Sequence, residues 1–193
     1  MSLRVWRWVQ RYAPELQRCL RRHLDPANDS WRVHETYVRV EGKRVYLYPA
    51  VDSTGATVDF LLSAKRDAAA AERFLAKALG GENHPAPRII NTDEHAGYPP
   101  AIVRLKAEEA LEQNCRHRPV QYLNNVLEQD HLAIKRRVRA SQHFRSFWRV
   151  WRAIAGYEAI HMMSKGQACE SAPAGRAVIL HRFIVCLFRA VPV

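Results

Sequence analysis

The sequence predicts an α/β fold: one mixed sheet with flanking helices. Three observations carry that prediction. Residues 31–63 alternate apolar and polar positions between turn signals, the pattern of half-buried strands. Residues 67–79 are rich in alanine and stop at Gly80-Gly81, the pattern of a helix and its terminator. Arg88–Thr92 is then a short apolar run ending at Asp93, as a buried strand does.

The elements follow in order. The first 24 residues are strongly basic, with Arg4, Arg7, Arg11, Arg18 and Arg22 on one helical face and Val5, Val9, Tyr12, Leu16 and Leu20 on another. Pro14 costs a mid-helix hydrogen bond, which predicts two short helices, the second starting at Pro14. Asp25–Ser30 is a linker. Glu41-Gly42 is a hairpin turn between strands Trp31–Val40 and Lys43–Asp52. A two-residue turn pairs Val40 with Lys43 and His34 with Pro49. His34, Thr36, Val38, Val40, Val45, Leu47 and Val51 then share one largely apolar face, with Asp52 on the other. Pro49 predicts an edge or a bulge in its strand. Ser53-Thr54-Gly55 leads to a third strand, Ala56–Ser63, and Asp67–Leu79 is the alanine-rich helix. Further helices are predicted from about Pro100 to Leu111, from a cap at Asn124 or Asn125 to about Arg139, and over Phe144–Ser164, closed by Gly166. After a loop at 167–175, Arg176–Arg189 reads as a final apolar helix for packing or dimer contact.

Composition narrows the function. A net charge of +11 and a pI near 10.0 in 193 residues favour a nucleic-acid partner. The four cysteines (Cys19, Cys115, Cys169, Cys186) lack metal-site spacing and follow no secretory signal, so reduced thiols are expected. No apolar stretch reaches membrane-spanning length, because His181, Arg182 and Arg189 interrupt the C-terminal one.

Asp93 at a strand end and Glu128 on a capped helix, with 34 residues between them, could converge on one ion. Carboxylates bridging two divalent ions serve phosphodiester chemistry, activating the attacking oxygen and stabilising the leaving one. The same pair equally describes a strand-end aspartate capping a loop and a glutamate on a solvated helix. A third carboxylate would be expected on the first strand, where His34 stands. Lys135-Arg136-Arg137 and Arg139 follow Glu128 closely enough to contact phosphate. Arg145, Arg149 and Arg152 extend the charge, interleaved with Phe147, Trp148 and Trp151; the tryptophans read as packing between helices.

A set of motifs goes further. Trp8–Leu16, Glu35-Thr36-Tyr37-Val38, Gly42-Lys43, Tyr46-Leu47-Tyr48 and Ala50-Val51-Asp52-Ser53 occur in order. They continue with Asp59–Ser63, Arg66–Ala71, Asn91-Thr92-Asp93, Tyr122–Asn125, Glu128–His131, Ile134–Val138 and Ile154-Ala155-Gly156. Across roughly residues 5 to 165 this resembles the DDE transposases of bacterial insertion sequences. The resemblance implies a ribonuclease-H-like, retroviral-integrase-like core: a mixed five-stranded sheet with flanking helices. It also implies a divalent metal, Mg2+ or Mn2+, held by Asp93 and Glu128, and strand transfer between element ends and target DNA. DNA contacts are expected from Arg4, Arg7, Arg11, Lys135, Arg136, Arg137 and Arg139, with a homo-oligomer, no membrane partner and a bacterial cytoplasmic, nucleoid-associated location.

On that resemblance residues 1–24 are the remnant of a helix-turn-helix DNA-binding region whose preceding helices are missing. Residues 25–30 are a linker, 31–140 the catalytic core and 141–193 a helical extension. The family has aspartate directly before Glu-Thr-Tyr, where this chain has His34. Imidazole suits zinc, copper or nickel better than magnesium, so impaired activity is expected. Glu35 is not expected to substitute, since neighbouring strand residues point to opposite faces. The alternative reading is a catalytically inactive DNA-binding remnant.

Overall fold

The computed structural model describes residues 3–21, 24–81, 84–120 and 146–167, with side chains from Arg7 onward. It divides into two compact units: residues 26–150, and residues 1–25 with 151–193. In chain order the elements are α1 (Leu3–Arg21), β1 (Ser30–Val33), β2 (Thr36–Val40), β3 (Lys43–Asp52), β4 (Thr57–Ser63), α2 (Ala68–Leu79), β5 (Ile89–Thr92), α3 (Tyr98–Ala107), β6 (Arg116–Pro119) and α4 (Phe147–Ser164).

The unit of residues 26–150 is built on the sheet. β1 and β2 pair antiparallel with β3 in one continuous register, from Trp31 opposite Asp52 to Val40 opposite Lys43. That is the register the two-residue turn predicts. The turn itself has positive φ at both central residues, Glu41 at 50° and Gly42 at 76°, whose twist matches that of the strands it joins. β4 pairs with β3 along its other edge, β5 runs parallel to β1, and β6 parallel to β5. With β1 and β2 taken as one interrupted strand, the order across the sheet is β4, β3, β1/β2, β5, β6.

The interruption has a cause in the sequence. His34 N–H donates to the Pro49 carbonyl at 3.2 Å, but proline has no N–H to return to the His34 carbonyl. The ladder lapses there and resumes at Thr36. Pro49 therefore lies in a central strand, not at an edge, next to a register shift between Ala50 and Val51. The expected bulge is present; the expected edge is not.

Both faces of the sheet are buried. On one, Trp31, Val33, Tyr48, Ala50, Val58 and Ile90 join Phe74 and Leu75 of α2 and Ile102 and Leu105 of α3 in a single core. On the other, Thr36, Val38, Val40, Val45, Leu47 and Val51 are buried as predicted, while His34 is partly exposed. The Asp67 carboxylate accepts from Ala70 N–H at 2.8 Å to start α2, and Gly80 ends it. This is the helix the alanine run announces.

Three expectations need correction here. β6 was not foreseen: Arg116-His117-Arg118-Pro119 carries no apolar alternation, and backbone pairing to β5 alone makes it a strand. α3 starts at Tyr98 and ends at Ala107, earlier than predicted at both ends, with Glu109 in the left-handed region at φ 57°. Trp148 is 64% exposed and stacks edge-on with Phe147 at 5.7 Å, so it does not pack between helices.

In the other unit α1 runs unbroken through Pro14, against the expectation of two short helices. Proline inside a helix costs about 3 kcal/mol. Burial of Leu20, contributing about 1.5–3 kcal/mol, offsets much of that, with a smaller share from Ala13. Leu20 packs with Ala159 and Met162 of α4. A Cβ at Gly156 would sit 2.8 Å from Ala13 Cβ, so glycine is what lets the two helices approach. Gly166 closes α4 at φ 76°, as the sequence indicates. The predicted helices from Asn124 or Asn125 to about Arg139 and over Arg176–Arg189, and the loop before the latter apart from Gln167, lie outside the described residues.

Candidate active site at the ends of two parallel strands

The site lies where β1 and β5 end. Their parallel register runs from Ser30 opposite Ile89 to Val33 opposite Thr92. The next residue of each strand is His34 and Asp93, so two sequence-predicted site residues occupy adjoining strand ends. The Asp93 side is firmly held. Thr92 Oγ1 donates to the Asp93 carbonyl at 2.8 Å, and the Thr92 carbonyl accepts from Val120 N–H at 2.9 Å. His117 of β6 approaches Thr92 Oγ1 with Nε2 at 2.9 Å. Because that hydroxyl already donates, it accepts here, which makes Nε2 a protonated nitrogen. Burial, and after it the Lys106 charge, hold His117 below the ordinary histidine value.

Beyond Asp93 the loop folds back on itself. His95 N–H donates to Asp93 Oδ1 at 3.3 Å, and Gly97 N–H donates to His95 Nδ1 at 3.2 Å. A Cβ at Gly97 would meet the His95 ring at 2.8 Å and the Ala68 backbone nitrogen at 3.3 Å. The loop is thus pressed against the first turn of α2.

Glu35 sits beside this loop. Its side chain is 6% exposed, and Oε1 pairs with Arg66 Nε at 2.5 Å. Glu35 Oε2 has no hydrogen-bond partner among the described residues. It lies 3.8 Å from His95 Nδ1, but that nitrogen is already an acceptor, so the two share no proton. Burial raises the Glu35 carboxyl above its usual range; Arg66 opposes the shift and Asp93 adds to it. His95 is lowered, by burial first and Arg66 next, against Asp93. The Tyr98 hydroxyl, fully buried and also without a partner among the described residues, is pushed well up by burial, then by Asp93 and Glu35.

The remaining candidates divide plainly. Asp52 is occupied: it accepts from the backbone N–H of Asn28, Thr54 and Ala56 and from the Thr54 hydroxyl. Arg7 and Arg11 are exposed on α1, which also carries Arg4, but this helix belongs to the other unit. Glu128, Lys135, Arg136, Arg137 and Arg139 lie outside the described residues. Sequence reasoning passed over Arg66, His95 and Tyr98; each stands in a quoted or adjoining motif, yet no periodicity links them.

Among the described residues, no three His, Cys, Asp or Glu side chains could hold a metal ion. What stands there is one carboxylate, Asp93, next to an imidazole, with Glu35 committed to Arg66. Of these donors Asp93 alone offers carboxylate oxygens free for a hard cation; Glu128, the second carboxylate the sequence predicts for that role, lies outside the described residues.

A mixed sheet in this order, with an aspartate at the end of the strand beside the first, is a ribonuclease-H-like core. Its overall fold is similar to the HTLV-2 integrase catalytic core domain in complex with magnesium (TM-score 0.51, 13% identity, covering 80% of this chain and 97% of that one). It is also similar to a chain of the simian T-cell lymphotropic virus intasome (TM-score 0.50, 16% identity), covering 82% of this chain and 55% of that one. A DDE domain family matches residues 28–167. The chain belongs to the DDE transposases of insertion sequences. It is 34% identical over 161 residues to the transposase for insertion sequence-like element IS431mec of Staphylococcus aureus, covering 83% of this chain and 69% of that protein. The same figures hold for the transposase of insertion sequence element IS257 in transposon Tn4003 of that organism.

Proposed function

We propose that this chain engages the ends of an insertion element and its target DNA, and that His34 has impaired the strand cleavage and transfer for which its fold is organised. The observation that carries this reading is the adjoining placement of His34 and Asp93 at the ends of β1 and β5. Asp93, with Glu128, would hold a divalent cation, magnesium or manganese. An imidazole at position 34 does not offer the bridging oxygens such a cation shares. Residues 31–140 form the catalytic core on this reading, with 25–30 a linker and 141–193 a helical extension. The basic face of residues 1–24 and the Lys135–Arg139 cluster contact phosphate. The protein acts as a homo-oligomer in the bacterial cytoplasm, on the nucleoid; no helix among the described residues is long and apolar enough to cross a membrane.

The test is His34→Asp. Parent and variant are assayed for nicking and strand transfer on a short pre-nicked duplex at low salt, with magnesium and with manganese. Asp93→Asn in the variant background is the control. The variant is expected to gain metal-dependent activity that the parent lacks and the control loses. Equal activity in parent and variant would show that His34 is not the lesion. Activity in neither favours the second reading, an inactive DNA-binding protein, which the exposed Arg7 and Arg11 also support.

A further inference from the structure

Arg66 follows Ser63, the last residue of β4, by three positions and stands just before Asp67, the cap of α2. The close approach of Gly97 to Ala68 sets this corner directly against the loop that begins at Asp93. Arg66 is half exposed, at 48%, whereas its partner Glu35 is almost wholly buried. A carboxylate bonded at Nε leaves a guanidinium the further edge between its two terminal nitrogens for a second anion. Arginine presents donors in a rigid planar fork suited to phosphate, and a fork anchored on one edge loses less freedom when the other edge binds. The site around Asp93 is otherwise rich in acid: Asp93 and Glu35 both act on Tyr98, and Arg66 is the cation that opposes them. A DNA backbone drawn towards Asp93 needs such a cation to approach.

We infer that Arg66, held by Glu35 at the mouth of the Asp93 site, binds a backbone phosphate of the DNA and so positions the strand there. This rests on the reading above that the chain acts on DNA, and adds a residue to it.

The experiment measures binding of the full-length chain to a short blunt duplex of arbitrary sequence over a range of salt concentrations. Arg66→Gln, Arg66→Lys and Arg104→Gln are compared with the parent. Arg104 is the charge-matched control, since it too pairs with a glutamate, Glu72, at 3.0 Å. Each phosphate neutralised contributes about 0.9 to the slope of log affinity against log salt. Arg66→Gln is expected to lower the slope by about that amount and weaken binding several-fold at low salt, while Arg104→Gln leaves both nearly unchanged. Arg66→Lys should keep the slope and still weaken binding, because the charge remains and the fork is lost. A purely structural ion pair would change thermal stability and leave the slope alone; that result overturns the inference and leaves the transposase reading standing. If Arg66→Gln does not fold, Arg66→Lys decides, and parental affinity in it overturns the inference. A parent that binds no duplex at low salt overturns both.

Discussion

Asp52 and Asp93 both end strands in this core, and exchanging each for asparagine should separate a structural carboxylate from a functional one. Asp52 Oδ1 accepts three hydrogen bonds, from Thr54 N–H at 2.8 Å, Thr54 Oγ1 at 2.6 Å and Ala56 N–H at 2.9 Å. Oδ2 accepts one, from Asn28 N–H at 2.9 Å. Asparagine keeps a carbonyl oxygen for the first three and turns its amide donor towards Asn28 N–H. One charge-assisted bond, contributing about 1.5–3 kcal/mol, is replaced by two opposed donors. The remaining three weaken towards neutral strength. A loss of at least about 3 kcal/mol follows, because the Asp52 side chain is buried and solvent has little access to relieve the mismatch. For a chain of this size that is about 6–12 °C in Tm. Asp93 Oδ1 accepts one backbone bond, 3.3 Å long, so Asp93→Asn should cost under about 1 kcal/mol. Scanning calorimetry of the two variants without divalent ion measures both. Equal Tm losses, or the larger loss in Asp93→Asn, would refute the division of roles. So would a magnesium response abolished by Asp52→Asn in a chain that remains folded.

Three further outcomes are expected. Magnesium or manganese should raise the Tm of the parent by binding the folded state, and the double exchange of Asp93 to Asn and Glu128 to Gln should remove that gain; a response identical to the parent's places the ion elsewhere. His117 is held below the ordinary histidine value, so as the pH falls the unfolded chain takes up its proton first. Its contribution to stability is complete above about pH 6.5 and is lost as the pH drops through the folded value. Denaturant melts at neutral and mildly acidic pH should show that decline, and His117→Gln should flatten it. Gly156→Ala places a methyl group 2.8 Å from Ala13 Cβ and should cost about 1–3 kcal/mol, read as a lower Tm.

Much of the core was legible because local rules and burial agreed. The two-residue turn set the β2–β3 register, and the alanine run between Asp67 and Gly80 set α2. That register also placed His34 opposite Pro49, so the gap between β1 and β2 was implicit: a proline facing a strand partner withholds one hydrogen bond. β6 was invisible because its four residues show no apolar alternation and take their strand form from backbone pairing to β5. Pro14 misled because a local cost was outweighed by packing that no window of sequence displays. At the site, Asp93 announced itself at the end of an apolar run. Arg66 and Glu35 did not, since residues 31 positions apart meet only once β3 and β4 have carried the chain back past the start of β2. Alternation sets Glu35 apart from His34 along the strand, and the Glu35 carboxylate acts electrostatically on the surroundings of Asp93.

The parallel pairing of β1 with β5 has a consequence for the order in which the molecule is made. β2, β3 and β4 are joined by tight turns and can zip together as soon as they leave the ribosome. Val33 and Thr92, by contrast, are 59 residues apart, and closing that long loop is the slow, entropically costly step. A chain interrupted before residue 89 would hold a three-stranded meander with no second strand end to set beside position 34. The catalytic corner therefore comes into being only with the crossover through α2, and anything that delays that crossover delays the site while leaving the meander intact.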